Sequence, residues 1–274
     1  LRSLVGSEMC IRDRDKTMKK VLALVLSCLM LVVALAGCGS SSNDKKDGLE
    51  TVTEGKLTMA TNATFPPYEY YEGKKVIGID AEIAGEIAKK LNLELEIADI
   101  EFDSIVPGVQ SGKYDMGMAG MTVTPERKNS VNFSDSYATG IQKVIVTKDS
   151  KIKSLDDIKG KNIGVQTSTT GDLYATKDYG ADHVKKFDSG NAAVNALKVG
   201  KVDCVIIDNE PAKAYVKANG SALKILDTDY AVEDYAICFS KDNTELQKKV
   251  NEALKELKKD GTVQKIVDKY IKAD

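Results

Sequence analysis

The sequence predicts an α/β protein of two lobes, each a sheet flanked by helices, joined by two hinge crossings of the chain. Three observations predict it. Strand-like and helix-like periodicities alternate along the chain, the pattern of strands covered by helices. The series strand, helix, strand, helix, strand occurs twice. Two stretches, 136–141 and 226–234, lie where the chain passes from one series to the other and back. At 274 residues the chain is long enough for two lobes of ordinary size. The expected borders give one lobe residues 49–138 and 232–274, and the other residues 139–231.

Each element has a local reason. Residues 56–60 form a short apolar strand. Residues 79–91 place Ile83, Ile87 and Leu91 four apart, the spacing of one helix face. Residues 93–98 alternate apolar and polar and read as a strand. Residues 103–110 read as a helix in which Pro107 is expected near the first turn, since proline lacks the N–H that an interior position needs. Residues 114–119 (YDMGMA) complete the first series. The second series takes strands at 142–147, 162–165, 184–187 and 202–207, with helices at 170–179, 192–199 and 210–219. The chain then closes with a strand at 234–240 and a helix at 244–258, where Leu246, Val250, Leu254 and Leu257 make an apolar stripe. A short helix at 263–271 ends it. Alternation of this kind predicts parallel sheets, which bind ligands beyond the C-terminal ends of their strands.

The N-terminal region reads differently. Residues 1–17 begin without methionine and include LVGSEMCIRD, similar to a translated sequencing adapter; they are expected to be a non-native leader, with the protein starting at Met18. Lys19 and Lys20 precede an uncharged apolar run, which ends in LAGC at Cys38. This is the layout of a signal peptide over 18–37. The four-residue end resembles the lipobox of bacterial lipoproteins, which implies lipidation of Cys38 and a flexible polar tether over 38–48. A retained membrane helix is the alternative. At about 1.5 Å per residue, 21–38 reaches roughly 27 Å, only marginally a span.

Composition narrows the function classes. Formal net charge is −2, which gives no reason to expect nucleic acid as a partner. Tryptophan is absent and His183 is the one histidine, so histidine-based catalysis and histidine-rich metal sites have little material. No metal or cofactor is expected. Of the five cysteines, Cys10, Cys28 and Cys38 fall in the N-terminal region. Cys204 and Cys238 lie in apolar runs without CxxC spacing and read as buried free thiols, a disulfide between them being the alternative.

Two segments carry a resemblance. Residues 78–91 (GIDAEIAGEIAKKL) and 118–137 (MAGMTVTPERKNSVNFSDSY) resemble the signatures of family 3 extracytoplasmic solute-binding proteins, the receptors for polar amino acids in ABC importers. Ala81 stands where a larger aliphatic residue is usual. The resemblance covers the chain from about residue 57 to its end. It implies the two-lobed type II periplasmic-binding-protein fold, capture of a free amino acid by lobe closure, and delivery to a membrane permease. It also implies a monomer held outside the cytoplasm by its lipid, and no enzymatic activity.

The ligand chemistry can be read beside it. A free amino acid is a zwitterion, so its pocket needs a cation and an anion a few ångströms apart. Arg127 offers a planar fork able to hold a carboxylate by two parallel hydrogen bonds; by residue type alone it could equally be a solvated loop charge. The resemblance puts Arg127 and Thr122 on the α-carboxylate and the Gly120 carbonyl on the α-ammonium. In QTSTTGD, residues 166–172, Thr169 and Thr170 precede a helix, where exposed N–H groups attract anions. They serve either as an ordinary cap or, as the resemblance implies, close over the same carboxylate. Asp208 could likewise merely cap the next helix; the resemblance pairs it with the ammonium. For the ligand side chain, the resemblance implies flanking by Phe65 and Phe102, with Tyr68 supporting the loop TNATFPPYEY. Asn62 stands where receptors for basic ligands and glutamine often carry an acid, and Gln166 and Ile207 occupy positions that vary selectivity. A polar, uncharged pocket of this kind favours a neutral polar amino acid such as glutamine. Two alternatives remain. One is an enzyme on the same scaffold, resembling a cyclohexadienyl dehydratase or a cell-wall lyase domain. The other is a ligand-sensing domain, for which the sequence offers no second apolar segment.

Overall fold

A computed structural model describes residues 49–271. The expectations for the leader, the signal segment, the tether, Cys10, Cys28, Cys38 and residues 272–274 lie outside these residues. Among the described residues no helix is long and apolar enough to cross a membrane.

The first sheet begins with β1 (Lys56–Thr61). A small antiparallel sheet follows directly, made of β2 (Thr64–Phe65), β3 (Glu69–Glu72) and β4 (Lys75–Ile77). Helix α1 (Ile79–Lys90) buries Ile79, Ile83 and Ile87 and carries Asp80 and Glu82 in its first turn and Lys89 and Lys90 in its last, matching the helix dipole. Next come β5 (Glu94–Asp99), α2 (Phe102–Gln110), β6 (Met116–Gly117), α3 (Pro125–Lys128) and β7 (Val131–Phe133). Helix α2 buries Ile105 and Val109, four apart. Pro107 is its sixth residue, beyond the first turn where the sequence reading placed it. It lies on the exposed face with Asp103, the residue whose carbonyl a proline at this position leaves without its amide partner.

The second sheet opens with β8 (Ala138–Thr147) and continues through β9 (Ile163–Gln166), α4 (Thr170–Tyr179), β10 (Val184–Phe187), α5 (Gly190–Lys198), β11 (Cys204–Asp208), α6 (Asn209–Ala218) and β12 (Leu223–Ile225). Then β13 (Ala231–Tyr235) and β14 (Cys238–Ser240) lead to α7 (Thr244–Lys259) and α8 (Thr262–Tyr270). Helix α7 buries Leu246, Val250, Leu254 and Leu257, the stripe the sequence predicts.

The strand order is β5-β1-β6-β14-β7 in one sheet and β10-β9-β11-β8-β12 in the other, with β13 added to β8. Parallel pairing holds between β1, β5 and β6, and between β9, β10 and β11. The expectation of wholly parallel sheets is corrected: β14 runs antiparallel to β6 and β7, and β8 antiparallel to β11, β12 and β13. The reason lies in the crossings. A chain that enters a sheet from the other lobe arrives without a right-handed helical crossover, so its strand can run against its neighbours.

The crossings themselves are strands. Residues 138–142 of β8 pair with β13 in register, from Tyr235↔Ala138 to Ala231↔Gln142. The single strand read over 234–240 is therefore two. Its first residues join the second sheet as β13 and its last join the first sheet as β14, broken at Ala236 and Ile237. Cys204 is buried beneath the second sheet with Val144, Val146 and Ile163, and Cys238 beneath the first with Ile105, Val109 and Met121; both are free thiols.

Gly140 shows how tightly the ribbon is packed. A Cβ built there would lie 2.5 Å from the Tyr235 hydroxyl, whose ring fills the space a side chain would need. Replacing Gly140 by alanine is expected to cost about 1–3 kcal/mol, the usual penalty of overpacking. Urea unfolding followed by far-UV circular dichroism checks this.

Candidate functional site

Arg127 is positioned by a cap. Thr124 precedes α3, and its Oγ1 accepts a hydrogen bond from the Arg127 N–H at 3.1 Å. Pro125 follows at the first helical position, where its missing N–H costs nothing. The guanidinium stands over the Phe102 ring, 5.3 Å from its centroid. Nη1 donates to the Thr122 carbonyl at 2.7 Å, and Nη2 donates to the Ser168 carbonyl at 2.9 Å. Arg127 thus belongs to the first lobe and touches the second. Burial pulls the guanidinium below its ordinary value, while Glu233 and Asp208 act in the opposite direction.

Gly120 precedes it with φ +52°, and a Cβ there would meet the Phe65 ring at 2.8 Å, so only glycine fits. Its N–H donates to Asp80 Oδ2 at 2.8 Å, which also accepts from the Tyr137 hydroxyl at 2.7 Å. Burial raises Asp80 to about 6. Beside it, Glu69 is buried and held well above the usual carboxylate range, by burial first and then by the Asp80 charge.

The second lobe meets these groups from the ends of β9 and β11. Thr169 caps α4, its Oγ1 accepting from the Asp172 N–H at 3.3 Å and donating to the Gln166 carbonyl at 2.8 Å. Asp208 ends β11 at the start of α6, yet its side chain makes no capping hydrogen bond. It is held instead by the Tyr235 hydroxyl, which donates to Oδ1. Burial raises Asp208 to about 7, with the Tyr235 bond opposing.

Two further bonds cross the cleft. Gln166 Nε2 donates to Asn62 Oδ1 at 2.9 Å, and the Tyr215 hydroxyl donates to the Thr64 carbonyl at 2.5 Å. Asn62 Nδ2 meanwhile donates to the Ile100 carbonyl at 2.8 Å.

The structure brings all ten sequence-predicted residues to the lining of one cavity. Asn62, Phe65, Phe102, Gly120, Thr122 and Arg127 line it from the first lobe; Gln166, Thr169, Thr170 and Asp208 line it from the second. Ile207, named as a selectivity position, does not line it. Tyr68 is buried and stacks on Phe65 at 5.8 Å, a supporting contact. His183 sits in the turn Ala181–His183, away from the cavity. Sequence reasoning missed Glu69 and Ala119 on the lining, and Tyr235 behind Asp208. Glu69 lies in the quoted loop PPYEY, but nothing in its spacing marks it as facing inward.

The described fold therefore offers a cation and an acid on the lining of one cavity, on two lobes joined by a ribbon. Residues 57–273 match the sequence model of a family described as bacterial extracellular solute-binding proteins, family 3. The chain belongs to this family. Among similar solute-binding proteins is the arginine-binding extracellular protein ArtP of Bacillus subtilis, 37% identical over 92% of this chain and 98% of that one. Among solved structures, an ancestral arginine-binding protein bound to glutamine is 44% identical, covers 81% of this chain and 100% of its own, and superposes with a TM-score of 0.77. The arginine-, lysine-, histidine-binding protein ArtJ of Geobacillus stearothermophilus is 38% identical over 80% of this chain and 96% of its own, with a TM-score of 0.76. These solute-binding relatives are two-lobed and are named as binding proteins, not as enzymes.

The raised acid has a consequence for stability. With Asp208 moved from its ordinary 3.8 to about 7, the folded protein holds a proton that the unfolded chain has released across that interval. Its contribution is present below about pH 4 and lost as pH rises to about 7. Asp208→Asn removes this loss. The melting temperature of that variant, relative to the parent, is expected to rise between pH 4.5 and pH 8 in the absence of ligand; parallel curves would remove Asp208 as the cause.

Proposed function

We propose that this solute-binding protein captures a free amino acid, with a neutral polar one favoured, by closure of its two lobes, and passes it to the membrane permease of an ABC importer. One observation carries the reading: Arg127 and Asp208, opposite charges on different lobes, line the same cavity. A zwitterion satisfies both at once. Its carboxylate meets the guanidinium, with Thr122 and the N–H groups opening α4 nearby, and its ammonium meets Asp208 and the Gly120 carbonyl. Phe65 and Phe102 flank the side chain, with Asn62 and Gln166 at its polar end. Closure drives water from the cleft and strengthens each charged contact.

The neutral polar preference rests on Asn62, an uncharged amide on the lining. The likeness to a protein whose structure holds glutamine supports it. A cationic amino acid is the second reading, supported by the arginine-binding relatives and by Glu69 on the lining. Burial pushes Glu69 well above the usual carboxylate range, which disfavours a full negative charge there, and the neutral reading stays first. The protein binds without turnover and works as a monomer. Lipidation at Cys38 holds it to the outer face of the cell membrane through the tether 38–48. The lobes divide at 49–138 with 232–274, and at 139–231.

A thermal-shift screen of the common amino acids tests the ligand class, since a ligand of the folded state raises its melting point. Glutamine or a neutral analogue is expected to give the largest shift; arginine or lysine alone would select the second reading. Arg127→Ala is expected to weaken binding by at least a hundredfold, because it leaves the ligand carboxylate unpaired in a buried site, a loss of about 3–5 kcal/mol. Titration calorimetry on the folded variant measures it.

A further inference from the structure

Glu233 lies on the second crossing strand, opposite Gly140, and is buried although it is an acid. Its Oε2 accepts two hydrogen bonds, from Thr170 Oγ1 at 3.0 Å and from Gln142 Nε2 at 3.0 Å. A threonine hydroxyl has one proton. With that proton donated to Glu233, the Thr170 oxygen can only accept elsewhere. Two donors stand around it: Gln142 Nε2 at 3.4 Å, and the hydroxyl of Thr122 at 3.5 Å, which reaches from the other lobe at the outer limit of hydrogen bonding. Thr122 and Thr170 line the cavity; Glu233 and Gln142 do not.

We propose that Glu233 is a positioning residue of the cleft. By taking the only proton of Thr170 it turns that hydroxyl into an acceptor for Thr122, so the crossing ribbon favours the closed form. A directed chain then runs from the first lobe to the hinge: Thr122 donates to Thr170, and Thr170 donates to Glu233. The Thr170 hydroxyl consequently has no proton for a ligand carboxylate. Thr169 is in the same position, its proton being given to the Gln166 carbonyl. The second lobe therefore meets an anionic ligand end through the backbone N–H groups that open α4, where a helix leaves its donors unpaired. Glu233 touches no ligand in this scheme; it acts through Thr170.

A double-mutant cycle on the full chain tests the link. The variants are Glu233→Ala, Thr122→Val and the pair, with Glu233→Gln as the conservative replacement that keeps an acceptor oxygen. Spin labels at exposed Lys89 and Lys177, one on each lobe, report the interlobe distance by pulsed EPR, with and without an amino acid. Titration calorimetry reports affinity. Glu233→Ala is expected to lower the closed fraction and weaken affinity about tenfold, the change that about 1.4 kcal/mol produces. In the Thr122→Val background it should add less than twofold, because the chain is already cut, and Glu233→Gln should restore the closed distance. Effects that simply multiply in the pair would overturn the proposal. So would a Glu233→Ala variant that melts earlier but keeps the parent distance and affinity. Should the alanine variant not fold, Glu233→Leu, which fills the volume, takes its place. The affinity arm rests on the amino-acid reading. If the parent protein binds no amino acid, that reading fails, while the ligand-free distances still decide the role of Glu233.

Discussion

The cleft depends on one guanidinium held between two lobes. Arg127 donates to a carbonyl of its own lobe and to the Ser168 carbonyl of the other, while its plane lies on Phe102. Fixing a long cationic side chain in one direction costs conformational entropy, and taking it out of water costs more. The surroundings offset both. Thr124 fixes the helix turn from which it projects, Phe102 covers its face, and the buried acids Glu233 and Asp208 supply opposite charge. Little freedom remains to be lost when an anion arrives, which is what preorganisation means in a binding site.

The acid wall is arranged differently. Asp208, Asp80 and Glu69 are all buried and all hold their protons more tightly than free carboxyls do. Burial raises all three, and the Tyr137 and Tyr235 hydroxyls and the Gly120 N–H, which donate to Asp80 and Asp208, oppose the rise. Such a wall lacks a full counter-charge of its own, so a cationic ligand end completes it. The site is thus poised on one side by a fixed cation and on the other by acids that await one.

Much of this was legible in the sequence, and the reason is local. Arg127, Thr122 and Gly120 sit on one short segment whose cap, proline and glycine can be read directly. Thr169, Thr170 and Asp208 stand at strand ends before helices, and the alternation of elements predicts where those ends point. Tyr235 was not legible, because 234–240 read as one strand when it is two, split between sheets at Ala236 and Ile237, and Glu233 fell in the stretch 226–234, read only as a crossing. The alternation of exposed and buried residues in β13 becomes visible only once its partner β8 is known. The small sheet β2-β3-β4 was missed for a similar reason: strands of two to four residues are too short for periodicity to show. Helix cues misled once, at Pro107, whose exposed position inside α2 depends on which face the helix turns to water.

The most direct test is a crystal structure of the protein with the amino acid that gives the largest thermal shift. The account predicts the ligand carboxylate on the Arg127 guanidinium, its ammonium within hydrogen-bond reach of Asp208, and Phe65 and Phe102 on either side of its side chain. A ligand bound outside this cavity, or one whose carboxylate turns away from Arg127, would contradict it.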